Sequence, residues 1–207
     1  MNQKNSLGLN SCFMDLDDPL ELFKIWMNEA EKKEIRDPTS LSLATANKAG
    51  QPNVRMVLLK GLSPKGFVFY TNLNSSKSRE LKENPKAAMC FHWKSFNRQI
   101  RILGSVIQVD DREADLYFNT RPYGSKIGAW ASDQSNSMKE RSELLKKIED
   151  FKKKYKDEKN VPRHPYWSGW CLRPSSIEFW LHKDNRIHER LRYNKIPNGW
   201  EKEILYP

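Results

Sequence analysis

Three groups of cationic residues hold most of the chemistry available to this chain. The first is Arg55-Met-Val-Leu-Leu-Lys60, four apolar residues between two permanent cations, followed at once by Gly61. A short apolar run bounded by turn signals predicts a buried strand. Side chains alternate faces along a strand, so Arg55 and Lys60 are expected on opposite sides. Unpaired charge is costly to desolvate. That leaves two readings: a core strand with solvated ends, or a strand laid along a phosphorylated ligand. The second group is Tyr117, Arg121 and Ser125, at helical spacing about a helix end. It offers a guanidinium fork and two hydroxyls, a donor set for phosphate; the plainer reading is a helix end with its Arg in solvent. The third is Arg186, His188 and Arg190, which period-two spacing puts on one strand face. Such a face repels itself unless an anionic or π-rich ligand covers it, and Trp180 can wall that site. The alternative is a surface strand bonded to nearby acids.

Other chemistries lack their signatures. The chain has no P-loop, no GxGxxG, no GxSxG elbow and no HExxH. His92, His164, His182 and His188 show no metal-ligand spacing, although His182 and His188 fall close together in an expected hairpin, so no metal is expected. Cys12, Cys90 and Cys171 are odd in number and far apart, which supports neither a zinc knuckle nor a disulfide framework and fits a reduced, cytoplasmic setting. No apolar run approaches the ~18 residues of a membrane span, and residues 1–12 lack the apolar stretch of a secretory signal. A soluble protein without a membrane partner is expected. The net charge of +10 raises nucleic acid as a partner. Part of that excess lies in residues 146–159, where lysines alternate with acids as on a solvated helix face. Nucleic acid is therefore not expected, and the remaining excess is free to attract phosphorylated small molecules.

The elements that position these groups follow from local patterns. Residues 1–17 carry no periodicity and are expected to form a flexible segment. Asp18-Pro19 starts a helix with Phe23, Trp26, Met27 and Ala30 on one face, ending near Ile35 before Asp37-Pro38. Strands are predicted over 40–45, 53–61, 67–71, 87–93 and 98–109, with a hairpin turn at 48–50 and a short helix over 75–83. Antiparallel strands in such close succession predict a small barrel or sandwich. Helices follow over 110–121, 125–132 and 139–157. The last carries a stripe of Leu144, Leu145, Ile148, Phe151 and Tyr155 that reads as core packing. Strands return at 167–172, 176–181, 186–193 and 200–205. The whole reads as α+β, a single domain from 18 to 207.

At this level of detail the chain resembles the pyridoxine/pyridoxamine 5′-phosphate oxidase family. The match is collinear from about Asp18 to the C-terminus. It rests on Arg55-Met-Val-Leu-Leu-Lys60, Phe69-Tyr-Thr-Asn72, Asn97-Arg-Gln99, Tyr117-Phe-Asn-Thr-Arg-Pro122, Ser125-Lys-Ile-Gly-Ala-Trp130, Gln134-Ser135, Glu178-Phe-Trp180 and Asn185-Arg-Ile-His-Glu-Arg190. The resemblance implies an FMN-binding split β-barrel, antiparallel and Greek-key-like with flanking helices, that forms a homodimer with FMN in clefts at the subunit interface. It implies that Arg55, Met56, Val57, Leu58, Leu59, Lys60, Tyr70, Thr71 and Lys77 hold FMN. Gln99, Gln134, Ser135, Trp180 and Arg190 complete that site, some of them from the partner chain. Lys60, Tyr117, Arg121 and Ser125 grip the substrate phosphate, while Arg186, Ile187 and His188 cover the pyridine ring, with Arg186 and His188 as the catalytic pair. The implied reaction takes pyridoxine or pyridoxamine 5′-phosphate to pyridoxal 5′-phosphate, with O2 reduced to H2O2.

Two departures stand out. The family usually has Ser-Arg-Lys where this chain has Ser75-Ser76-Lys77, so a cation expected on the FMN phosphate is missing, and Arg79, one turn on, is expected to reach back. The family commonly ends Arg-Leu-Ala-Pro, whereas this chain ends Ile204-Leu-Tyr-Pro207. The N-terminal segment also lacks the basic stretch of some relatives. The rivals are a related flavin oxidase acting on another ring, as in phenazine biosynthesis, and a flavin- or pyridoxal-phosphate-binding protein without turnover.

Overall fold

Asp18 and Pro19 begin the first helix as their types dictate. The Asp18 carboxylate accepts the Leu20 N–H at 2.9 Å, and Pro19 occupies the first helical position of α1, Pro19–Lys33. The computed structural model describes residues 5–34 and 36–207, so the helix end expected at Ile35 lies outside the described residues. One face of α1 buries Leu22, Phe23, Trp26, Met27 and Ala30. Phe23 meets Phe67 and Phe91 edge-on at 4.9 and 5.3 Å, and Trp26 meets Phe179 at 5.1 Å. Each such ring contributes about 2–3 kcal/mol by leaving water.

These rings sit on a nine-stranded antiparallel sheet. Its strands are β1 Ser40–Ala46, β2 Pro52–Leu58, β3 Gly61–Ser63, β4 Gly66–Asn72, β5 Lys86–Trp93, β6 Arg98–Gln108, β7 Trp167–Leu181, β8 Glu189–Ile196 and β9 Gly199–Leu205. The order is β2-β1-β5-β6-β7-β4-β3, with β8 and β9 added on β7. Helix α2, Ser76–Glu83, links β4 to β5. Helices α3, Asp111–Thr120, α4, Tyr123–Ala131, and α5, Arg141–Lys154, fill the connection from β6 to β7. The sheet does not close, but the chain bridges its two ends. Leu59 N–H donates to Thr39 O at 2.9 Å, prolonging the β1–β2 ladder, and Lys60 N–H donates to Val68 O at 2.8 Å, opening the β3–β4 ladder. Adjacent residues thus serve opposite edges of an α+β split barrel.

Four expectations need correction. The 53–61 stretch is not a buried strand: β2 is an edge strand with β1 as its neighbour, and Val54 and Met56 stand 65% and 61% exposed. The strands predicted over 167–172 and 176–181 are one, β7. It runs through Pro174 because Ser175 is an extra, unpaired residue at a bulge opposite Leu103 and Gly104. Gly104 permits this, since a Cβ there would lie 2.0 Å from Arg173 O. The strand predicted from 186 begins only at Glu189. Asn185 and Arg186 have φ of 56° and 61°, so Arg186 belongs to a left-handed turn and shares no strand face with Arg190. The stripe on α5 is not core: none of its residues is buried, Leu145 is 53% exposed, and Phe151 and Tyr155 lean on Trp130 of α4 at 5.6 and 5.2 Å.

The described part of the N-terminal segment lies against the body of the protein. Leu9 and Phe13 are buried, Trp26 Nε1–H donates to Cys12 O at 2.7 Å, and the Tyr193 hydroxyl donates to Leu16 O at 2.9 Å. The sequence shows no periodicity there because this segment packs through isolated residues rather than a face.

Candidate active site

The site begins at the start of α2. Ser75 precedes the helix and turns its hydroxyl back to Asn72 O at 2.7 Å, which leaves the N-terminal amides uncapped by that side chain. Lys77, in the first turn, folds inward and is only 8% exposed. Its ammonium donates to Thr71 Oγ1 at 3.0 Å, Ser75 Oγ at 3.1 Å and Gln134 Oε1 at 3.4 Å, and pairs with no carboxylate among the described residues. Burial, then the nearby Arg55 charge, push Lys77 down to about 8 against a weaker upward pull from Glu80. A buried cation that three neutral oxygens barely satisfy is a site prepared for an anion.

Arg55 stands behind Lys77 and is already engaged. Its guanidinium bonds Glu80 Oε2 at 3.1 Å, Thr45 Oγ1 and Leu43 O. Burial pushes the Glu80 carboxyl up, but hydrogen bonds from Thr45, Asn53 and Arg55 outweigh it and hold the group below the usual carboxylate range. Arg79 does reach back along α2, with Nη1 on Asn74 O and Nη2 3.4 Å from Ser76 Oγ.

Beside Lys77 stands an aromatic shelf. Tyr70 stacks on Tyr117 at 4.1 Å and 7°, and on Trp167 at 5.1 Å and 2°. Gly169 allows this, because a Cβ there would lie 2.8 Å from the Tyr70 ring. Arg163 ties Trp167 O to Asp111 and Asp115 of α3, fixing the helix that carries Tyr117. Arg121, just past the end of α3, lays its guanidinium 4.7 Å over Trp167, and its Nη1 is buried without a hydrogen-bond partner. Burial lowers its affinity for a proton and pushes Tyr70 up to about 12 and Tyr117 upward, so both phenols remain donors at neutral pH. Two adjoining cavities of about 280 and 360 Å³ share Tyr70, Thr71, Arg121, Gln134 and Trp167. The first adds Met56, Val57, Leu58, Lys60, Lys77 and Tyr117, and the second adds Ser125.

A second cluster forms elsewhere. Gln99, Trp180 and Arg190 lie in register across β6, β7 and β8. Buried Glu178 anchors the row: its Oε1 accepts from Arg190 Nε at 2.9 Å and its Oε2 from Arg101 at 3.2 Å, while Arg190 Nη1 reaches Tyr206 O at 2.9 Å. His188 leans on Trp180 at 4.7 Å and His182 at 5.1 Å. Arg186 and Ile187 are exposed beside them. The clusters sit at opposite ends of β7, near Trp167 and near Trp180, about 40 Å apart along the strand at ~3.3 Å per residue.

Of the residues singled out from sequence, Leu59 turns its side chain into the core, and Ser135 lines a neighbouring cavity of about 250 Å³ that shares Ser132 and Gln134 with the larger cavity of the site. Sequence reasoning missed Glu80 and Trp167 and gave no site role to Ser75 or Glu178, which it met only inside motifs. Glu80 had a usable signal, one helical turn beyond Lys77; Trp167 had none, because its place depends on pairing with Asn72 across the chain.

The chain matches one known family over most of its length. The family described as pyridoxamine 5′-phosphate oxidase matches residues 27–155, and the pyridoxine 5′-phosphate oxidase C-terminal dimerisation region matches residues 167–207, which include β7, β8 and β9. The pyridoxine/pyridoxamine 5′-phosphate oxidase of Pelagibacter ubique is 58% identical over 100% of both chains. That of Sinorhizobium fredii is 50% identical over 94% of this chain and 95% of its own. Among solved structures, PhzG from Burkholderia lata, in complex with tetrahydrophenazine-1-carboxylic acid, superposes with a TM-score of 0.89 at 29% identity, covering 95% and 96% of the two chains. An FMN-binding protein from Nostoc punctiforme, at 17% identity and a TM-score of 0.72 over 94% and 100%, shares the fold. Matched by both regions and by relatives of this identity over nearly its whole length, this chain belongs to the pyridoxamine 5′-phosphate oxidase family.

Proposed function

We propose that the protein oxidises pyridoxine 5′-phosphate and pyridoxamine 5′-phosphate to pyridoxal 5′-phosphate, with FMN as cofactor and O2 as acceptor. The products are H2O2 and, from the amine, NH3, released when water hydrolyses the imine and supplies the aldehyde oxygen. One observation carries the reading: two cations without anionic partners among the described residues, buried Lys77 and half-buried Arg121 with its buried Nη1, flank the Tyr70 shelf in adjoining cavities. Two phosphates, one on the cofactor and one on the substrate, match that pair. The donor set also fits FMN, since Lys77, Thr71 and the free amides of α2 surround one anion position and Arg79 reaches the first turn of that helix, while Arg55 stands behind on Glu80.

FMN, when bound, would supply the two-electron redox chemistry that links the substrate's 4′ carbon to O2. The chain's own residues bind and orient. Lys77, Thr71 and Arg79 hold the cofactor phosphate, while Met56, Val57 and Leu58 border its ring. Lys60, Tyr117, Arg121 and Ser125 hold the substrate phosphate, and this remote binding energy fixes the 4′ carbon in place. Arg186 and His188 cover the pyridine ring and steady the charge that develops on it.

Because the clusters occupy opposite ends of β7, one chain cannot close such a site alone. A homodimer with FMN at its interface resolves this, with Gln99, Trp180, Arg186, His188 and Arg190 of the partner subunit facing Lys77 and Arg121. The match of residues 167–207 to a dimerisation region supports the pairing. So does the exposed apolar face bearing Val54, Met56 and Leu103. Among the described residues no helix is long and apolar enough to cross a membrane, and the cysteines are free, which supports a cytoplasmic setting.

The test is a visible spectrum of purified protein. Flavin bands that bleach when pyridoxine 5′-phosphate is added without oxygen, and return with air, are expected. Bands that persist identify a binding protein without turnover. Bleaching by a reduced tricyclic carboxylic acid but not by the phosphorylated vitamer moves the substrate to the class bound by PhzG.

A further inference from the structure

His182 has no part in the roles assigned above, yet it stands beside His188. It follows β7 directly, and its backbone N–H donates to Asn97 O at 2.9 Å, so its position is fixed by the end of the β6–β7 ladder. Its ring lies 5.1 Å from that of His188, and Trp180 touches both, at 5.9 and 4.7 Å. The next residue, Lys183, donates its backbone N–H to His188 Nδ1 at 3.2 Å. An imidazole nitrogen that accepts a hydrogen bond carries no proton, so neutral His188 holds its proton on Nε2. Protonation of His188 would place two N–H groups head to head at Lys183.

The charges around His188 act in the same direction. His182 lies on one side and Arg186 on the other, while the Lys183 ammonium is neutralised by Glu189 at 3.5 Å and Arg190 by Glu178. Desolvation first, then His182 and Arg186, lower the affinity of His188 for a proton. The sequence that spaces these groups, His182-Lys-Asp-Asn-Arg-Ile-His188, is one turn whose left-handed Asn185 and Arg186 double the chain back and bring the two imidazoles together.

From this geometry we infer that His182 is a positioning residue: with the Lys183 amide it keeps His188 neutral, with its proton on Nε2, as a hydrogen-bond donor to the ligand. The inference rests on the reading of His188 as a substrate-facing residue, but its test does not. NMR of purified protein with 15N-labelled histidine reports tautomer and titration without any turnover. The expected result is an unprotonated Nδ1 and a protonated Nε2 for His188. Its titration midpoint should move upward in His182→Asn and stay low in His182→Arg, which places a permanent cation there. A proton on Nδ1 in the native protein, or a midpoint that ignores both substitutions, overturns the inference and leaves the oxidase reading intact. Failure of the flavin to bleach leaves the tautomer and titration results standing. In the oxidase assay the acid limb of the kcat/KM profile should follow the NMR midpoint in each variant, a shift that a purely structural role would not produce.

Discussion

Replacing Lys77 by Met separates a residue built for a ligand from one built for the fold. Lowering its pKa from 10.5 to about 8 means that the folded chain without ligand carries a penalty of at most about 3 kcal/mol at pH 7. The three hydrogen bonds lost, to Thr71, Ser75 and Gln134, contribute about 1 kcal/mol each. The two effects cancel, so flavin-free Lys77→Met should match the native stability within about 1 kcal/mol. FMN binding should weaken by the value of a charge-assisted bond, about 1.5–3 kcal/mol, or about 10- to 150-fold in Kd. The pH dependence is diagnostic. Because the folded pKa lies below the unfolded one, the unfolded chain binds more protons between about 8 and 10.5, and stability without ligand rises with pH across that window. FMN affinity should run the other way, falling about tenfold between pH 7 and 9 as the free ammonium deprotonates. Both trends should vanish in the Met variant. Urea unfolding at several pH values and fluorescence titration with FMN measure them. A variant destabilised by about 3 kcal/mol that still binds FMN normally would refute the reasoning and make Lys77 a structural residue.

Three further outcomes follow from the same geometry. Arg79→Ala should weaken FMN about tenfold with unfolding unchanged, because its guanidinium leans over Ser76 at the start of α2; an unaltered Kd removes it from the phosphate site. Glu178→Gln should cost about 2 kcal/mol in urea unfolding and loosen FMN, since one buried carboxylate anchors both Arg101 and Arg190; native stability and affinity together would contradict that. Arg186→Leu should lower kcat/KM about a hundredfold while stability and FMN binding hold, because this exposed side chain bonds nothing among the described residues; a loss confined to FMN binding would reassign it.

What the sequence made legible was local. Helix α1, the strands β5 and β6 and the turn at Gly50 announce themselves through spacing and caps that neighbours in the chain supply. The exposure of Met56 does not, because it depends on which strand fails to cover β2. Nor does the continuity of β7 through Pro174, which depends on a bulge opposite β6. The cations of the site were readable as chemistry, since few other residues offer phosphate so many donors. Their actual partners were not: Arg55 is answered by Glu80 on another element, and Arg186 leaves its strand through a left-handed turn that no period-two rule detects. Least legible of all was the separation of the two clusters, because register is a property of paired strands and not of either strand alone.

The pairing of β4 with β7 has a consequence for how the molecule is made. Thr71 lies opposite Ser168, and Tyr70 opposite Gly169, so the shelf beside Lys77 exists only when the C-terminal strands have left the ribosome. The hairpins β1–β2 and β3–β4 close early and locally, whereas this long-range ladder must wait. During synthesis the emerging chain exposes the apolar edges of β4 and β6 and has no assembled pocket to bind a cofactor. A pocket that depends on this ladder cannot be complete before β7 is made, and a chain truncated before β7 lacks Trp167 and Gly169, on which the shelf is built.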